Sequence, residues 1–153
     1  MPPTIQNHKA RRDYFIGDTY EAGIELKGTE VKSLRAAKAS IEEAFARVDR
    51  GQLWLYNAHI QHYEFGNRYN VDPLRPRRLL LHKKEINRLA VELNVKGMAL
   101  VPLRLFFNAK GLAKVQLGVG KGKNVIDKRE TLKRKAADRE IHRALADRTK
   151  RRT

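Results

Sequence analysis

YEAGIELKGTEVKSLR, residues 20–35, decides how the rest of the chain is read. Tyr20, Ala22, Ile24 and Leu26 alternate with Glu21, Gly23, Glu25 and Lys27, the period of two of a half-buried strand. Gly28 breaks the alternation. Thr29 then stands where a helix cap belongs, with Glu30 in the first turn and Val31 and Leu34 forming one apolar side. A strand therefore runs into a short helix through one glycine. The outward face of that strand carries an acid, Glu21, in a chain with 33 Lys and Arg against 17 Asp and Glu, a net charge of +16.

On the N-terminal side, residues 1–12 are polar and basic and read as a loose arm. Residues 14–16 start a first strand, and Gly17 and Asp18 turn it into the 19–26 strand. On the C-terminal side, residues 36–40 read as a loop, and the Ser40 capping pattern supports one turn of helix at most. Residues 45–49 and 53–56 form a hairpin around Asp49, Arg50 and Gly51, with Gly51 at the positive-φ position. Either face of the second hairpin strand fits the inside. A strand through Ile60 precedes a long loop, 63–78, which carries Arg68, Arg75, Arg77 and Arg78.

Leu79, Leu80 and Leu81 form a short strand. Ile86, Leu89, Ala90 and Leu93 then give the spacing of a helix that starts near Lys83, with Gly97 as its closing glycine. Residues 98–107 alternate as a strand in which Ala99, Val101, Leu103, Leu105 and Phe107 share one face, and Pro102 demands an edge or a bulge. After a turn at 108–111 comes a last strand, 112–119, and the glycines of GVGKGK, 118–123, read as a hinge. Residues 121–153 carry thirteen lysines and arginines against five acids and no aromatic residue. The expected organisation is a basic arm at 1–12, a body at 13–120 and a basic tail at 121–153.

The fold class expected is mainly β: an OB-like closed antiparallel barrel with two or three short helices and a basic C-terminal tail. Closure hides the edges that such short strands would expose. A surplus of positive charge points to a polyanionic partner, nucleic acid first. No apolar run approaches the roughly 18 residues of a membrane span, and the basic N-terminus does not read as a signal peptide. The absence of cysteine excludes disulfides, thiolate zinc sites and cysteine nucleophiles. The expectation is a cytoplasmic monomer without membrane or cofactor.

No constellation converges on catalysis. His59 and His62 are spaced for a metal only on a helix, and this segment reads as a strand. GVGKGK lacks the spacing and the Ser or Thr of a phosphate-binding loop. The basic runs are more telling, because they flank strand ends, as in small barrels that hold RNA. Three residues stand out as candidate RNA contacts. A carboxylate at Glu21 can accept from base amino groups or pair with a neighbouring lysine. Leu80, opposite in phase to Leu79 and Leu81, can pack on an unstacked base or lie under a helix. Lys114 faces outward toward phosphate or plain solvent. An RNA-binding protein that is not an enzyme leads this reading. A barrel protein bound permanently to ribosomal RNA comes second, and a metal-dependent nuclease a distant third.

The sequence also resembles the SmpB family, the SsrA-binding proteins of bacterial trans-translation. The resemblance covers about residues 7–147. It rests on residues 7–10, YEAGIELKGTEVKSLR, Asp72 and Pro73, RPRRLLLH at 75–82, Lys96 and Gly97, and GKGKNVIDKRE at 120–130. It implies an OB-type barrel that binds the tRNA-like domain of transfer-messenger RNA (tmRNA), with Glu21, Leu80 and Lys114 at the RNA. Asn7, Lys9, Arg77, Arg78, Lys121 and Lys123 complete the expected RNA-binding set. The resemblance further implies delivery of alanyl-tmRNA with elongation factor Tu to stalled ribosomes. There the tail would be helical on small-subunit rRNA in the empty mRNA channel, having been disordered when free. Asp127, Lys128, Arg129, Lys133, Arg139 and Arg143 are its expected ribosome-facing residues. His8 stands where the family commonly has Lys or Arg, while the second basic residue, Lys9, is kept.

Overall fold

In the computed structural model, residues 3–123 are described. Six strands form a closed antiparallel ring: β2 (Tyr14–Ile24), β4 (Phe45–Asp49), β5 (Gln52–Tyr56), β7 (Arg77–Leu80), β8 (Met98–Phe107) and β9 (Ala113–Gly122). Neighbours run β8, β4, β5, β7, β2, β9, and the β8–β9 pairing closes the ring. β1 (Ile5–Gln6) pairs with β8, while β3 (Ala39–Ser40) and β6 (His59–Ile60) make a separate ribbon. The helices are α1 (Ala10–Asp13), α2 (Gly28–Arg35) and α3 (Lys83–Glu92). This is the mainly β closed barrel expected from the alternation.

The core follows from the strand period. Tyr20, Ala22 and Ile24 of β2 meet Leu53, Leu55, Leu79, Val115, Leu117 and Val119 inside the ring. Leu34 of α2 and Ile86 and Leu89 of α3 complete it. At the β4–β5 hairpin, Asp49 pairs with Gln52, leaving Arg50 (φ 53°) and Gly51 (φ 76°) as a two-residue loop. Positive φ at both loop residues is the turn whose twist matches a hairpin. Leu53 and Leu55 point inward and Trp54 and Tyr56 outward, which settles the face that alternation left open.

Several expectations are corrected. Residues 14–26 are not two strands joined by a turn. β2 is continuous, with a register shift between Ile16 and Thr19, because both halves pair with the one long strand β9. β8 has its own shift between Pro102 and Arg104, the bulge that the proline demanded. Each bulge exchanges the faces of its strand. Val101 and Leu103 therefore leave the main core and form a second cluster with Ala10, packed by Tyr14, Ile16 and Ala99. Hence residues 99–107 do not share one face: Leu100 and Leu105 both belong to the main core.

That second cluster also corrects the loose arm. β1 pairs with β8, and Ala10 of α1 is buried, so the N-terminal segment is anchored. Gly118 and Gly120 are not a hinge. They sit inside β9, where a Cβ on Gly118 would lie 2.7 Å from Ile16 Cγ2 and one on Gly120 2.9 Å from Tyr14 Cβ. These glycines let β2 side chains lie across β9, and the strand continues to Gly122, past the boundary expected at 120. Finally, α3 ends at Glu92, and turns carry the chain to Gly97 (φ 84°).

Candidate nucleic-acid interface

β2 lies between β7 and β9, and its register aligns three of the predicted residues. Gly23 is opposite Leu80 on one side and Lys114 on the other. With strands about 4.8 Å apart, Leu80 and Lys114 flank Gly23 at roughly 10 Å from each other. Glu21 shares this outward face, two residues or about 7 Å along β2. Leu80 is 45% exposed while its neighbour Leu79 is 1% exposed, so the middle leucine of the run faces outward. A Cβ on Gly23 would meet Leu80 Cβ at 3.3 Å, so the glycine gives the leucine room to lie across the strand. The result is an exposed leucine at one end of a row that holds a carboxylate and an ammonium on its β2 and β9 side.

Neighbouring rows extend this face. Glu21 pairs with Gln116, Gln116 with Arg104, and Arg104 with Gln6 of β1. Arg104 Nε donates to Gln116 Oε1 at 3.0 Å, and its guanidinium lies 4.2 Å from the Phe106 ring centre. Phe106 is in turn opposite Lys114. A notch of about 280 Å³ at the end of this row is lined by His8, Arg11 and Arg104, among others. On the β7 side, Arg47, Trp54 and Arg78 face one another across β4, β5 and β7. Sequence reasoning missed Arg104, Phe106, Arg47 and Trp54. None is unusual in sequence, and they join the face only through register, which alternation does not specify.

Arg77 requires correction, because it cannot be an RNA-binding residue in this fold. It is 0% exposed. Its Nε donates to Glu30 Oε2 at 2.6 Å, Nη1 to the Ala58 carbonyl at 2.5 Å and Nη2 to the Pro73 carbonyl at 3.0 Å. Glu30, 3% exposed, also accepts from Arg75 and, at 2.8 Å, from the Lys27 amide that opens α2. Burial pushes the Glu30 carboxyl up. The Arg75 hydrogen bond, the Lys27 amide and the Arg77 charge outweigh it, so the carboxyl stays below the ordinary glutamate value. Burial draws the Arg77 guanidinium down against the pull of Glu30. Its ordinary value lies so far above neutrality that it stays charged. The group ties α2, the 58–77 segment and β7 together, and so positions the outward face of β7.

Asn7 has a structural role in the fold. Its Nδ2 donates to the carbonyls of Pro102 (2.8 Å) and Ile41 (3.2 Å), and its Oδ1 accepts from the amides of Lys9 and Ala10 (3.1 Å each). Every group of the amide is engaged within the fold, so Asn7 shapes the N-terminal turn. Lys9 is paired with Glu43. Arg78 is half-exposed and 3.5 Å from Glu25. Lys123 Nζ donates to the Arg11 carbonyl at 3.0 Å and lies 4.9 Å from the Phe15 ring centre. Lys121 is opposite Phe15 on β2. Along β9 Lys121 is about 23 Å from Lys114 and Lys123 about 30 Å, so they form a separate basic region. Asp127, Lys128, Arg129, Lys133, Arg139 and Arg143 lie outside the described residues. Among the described residues no group of three or more His, Asp and Glu is placed to hold a metal, and no helix is long and apolar enough to cross a membrane.

The whole chain has well-defined relatives. The SmpB protein family matches residues 4–147. The chain is 57% identical over 145 residues to the SsrA-binding protein of Bacillus velezensis, spanning 95% of this chain and 92% of that one. It is 56% identical over 142 residues to the SsrA-binding protein of Bacillus subtilis, spanning 93% and 90%. A solved structure described as "tmRNA-SmpB: a journey to the center of the bacterial ribosome" contains a chain 55% identical to this one. That chain superposes with a TM-score of 0.68, over 79% of this chain and 85% of its own length. With a family match over residues 4–147 and relatives more than half identical over nearly their whole length, the chain belongs to the SmpB family.

Proposed function

We propose that this protein is the RNA-binding adaptor of trans-translation. In this reading the barrel grips the tRNA-like domain of tmRNA through Glu21, Leu80 and Lys114, with Arg78, Lys9, Lys121 and Lys123 supplying charge. It travels with alanyl-tmRNA and elongation factor Tu to a stalled ribosome, as a cytoplasmic monomer. The tail, including Asp127, Lys128, Arg129, Lys133, Arg139 and Arg143, occupies the vacant mRNA channel against small-subunit rRNA. Peptidyl transfer is the ribosome's, so no catalytic group is required of this chain.

The observation that carries the reading is the Leu80, Gly23 and Lys114 row beside Glu21. An exposed leucine with opposite charges within one or two strands of it suits a nucleotide better than a bare phosphate backbone. The base packs on the leucine, the carboxylate accepts from base amino groups, and the lysine meets phosphate. The test is to purify the protein from bacterial cells and identify the RNA recovered with it. A tmRNA much enriched over its share of cellular RNA is the expected outcome. Recovery of ribosomal RNA alone would replace this reading with that of a ribosome-resident barrel protein.

A further inference from the structure

The loop at 63–70, YEFGNRYN, plays no part in the barrel face, yet it is built with care. Phe65 is 73% exposed and Tyr69 67% exposed, two large rings on one short loop. The loop is nevertheless pinned. Asn70 Oδ1 accepts from the Tyr63 amide at 2.7 Å, and Asn70 Nδ2 donates to the Tyr63 carbonyl at 2.9 Å. The Tyr69 carbonyl accepts from Thr29 Oγ1 of α2 at 3.2 Å. Asn67 adopts φ 48°, and a Cβ on Gly66 would lie 2.8 Å from the Asn70 amide, so the closure leaves no room for a side chain. Exposed rings on a fixed loop have already met the ordering cost of binding.

Those rings border an open cleft of about 420 Å³, lined by Tyr63, Phe65 and Tyr69 with Lys27 and Lys32 of the α2 segment. Tyr63 and Phe65 meet edge to face at 5.6 Å. Lys32 Nζ lies 5.4 Å from the Tyr63 ring centre, and the Arg68 guanidinium lies 5.2 Å from that of Tyr69. No carboxylate is among the lining residues. Aromatic faces edged by cations are complementary to a flat ring that carries a negative charge at one side. A purely apolar partner would leave the ammonium groups without a counterpart.

We infer that this cleft is a second RNA site, which takes one unstacked base against Phe65 and Tyr69 with its phosphate at Lys27 and Lys32. It relies on the function proposed above only for the class of ligand. Two RNAs are available to such a protein, the tRNA-like domain and the small-subunit rRNA, and both offer this chemistry.

The test titrates full-length Phe65→Ala, Phe65→Leu, Phe65→Trp and Leu80→Ala proteins with the tRNA-like domain and, separately, with vacant small ribosomal subunits. Phe65→Ala and Phe65→Leu are expected to weaken binding to at least one RNA by roughly 5- to 150-fold, the effect of losing one stacked base. Their melting temperatures should stay at the wild-type value, because the ring is solvent-exposed. Phe65→Trp should bind as wild type, and its fluorescence should be quenched by that RNA. Loss with the tRNA-like domain alone, or with subunits alone, supports the site and identifies its ligand. Wild-type affinity of Phe65→Ala and Phe65→Leu for both RNAs overturns it. So does a loss of binding that Phe65→Trp fails to restore. Leu80→Ala reports independently on the barrel face, so a failure there leaves this result standing.

Discussion

At Arg77 the structure replaces a surface contact with a buried ion pair, and the two roles predict opposite behaviour. Arg77→Ala leaves Glu30 buried without its partner and should cost about 3–5 kcal/mol of stability, measured by urea unfolding. Glu30 also predicts a pH dependence. Its carboxyl lies below the ordinary value, so the stabilisation is complete above about pH 4.3, the unfolded glutamate value, and is lost as pH falls below that. Glu30→Gln should flatten that acid limb of the stability curve. On the outward face the expectation reverses. Glu21→Ala and Leu80→Ala should weaken binding to the tRNA-like domain by about 1–3 kcal/mol each, with unchanged melting temperatures. Unfolding of either variant would mean that its side chain supports the fold instead of the RNA. Glu21, Leu80 and Lys114 were legible from alternation alone. Arg77 was not, because its position reads as the end of a loop, and nothing local shows that it opens β7 above a carboxylate from α2.

Elements show the same division. β9 is a strand whose glycines look like a hinge in one dimension. In the barrel, Gly118 and Gly120 lie beneath Tyr14, Ile16 and Leu103, which places them under steric constraint. Gly118→Ala should therefore destabilise the protein by about 1–3 kcal/mol, the usual cost of overpacking. A hinge glycine would tolerate alanine with little change. Lowered urea midpoints with the slope unchanged would be the signature, and an unaffected midpoint would restore the hinge. β2 and β8 are likewise single strands that change face at bulges. Pro102 announced one bulge through its missing donor. Gly17 and Asp18 suggested a turn at the other, because the pairing to β9 that keeps the strand straight is invisible locally.

For the molecule as a whole, charge and architecture meet in the binding of a polyanion. If about five basic side chains of the body meet phosphates, log K should fall with log salt at a slope of roughly −3.5 to −4.5. A flat titration would leave the electrostatic account without support. Ending the chain after Lys123 should leave affinity for the tRNA-like domain nearly unchanged while abolishing peptide tagging on stalled ribosomes. Normal tagging by the truncated protein, or a hundredfold loss of RNA affinity, would contradict the separation of roles between barrel and tail.

By itself the sequence determined the strand alternation, the two longer helices, the turn at Gly51 and the outward phase of Glu21, Leu80 and Lys114. It also determined the family, through several long motifs in one order. These are local properties, set by side-chain period, backbone freedom and residue identity over a few positions. Only the tertiary structure decided which residues stand opposite one another. Register brought Leu80, Gly23 and Lys114 into one row and added Arg104 and Trp54 to that face. Desolvation drew Arg77 inward to Glu30, and close packing across β9 demanded its glycines. Each of these depends on contacts between residues far apart in the chain, which arise only once the ring has closed.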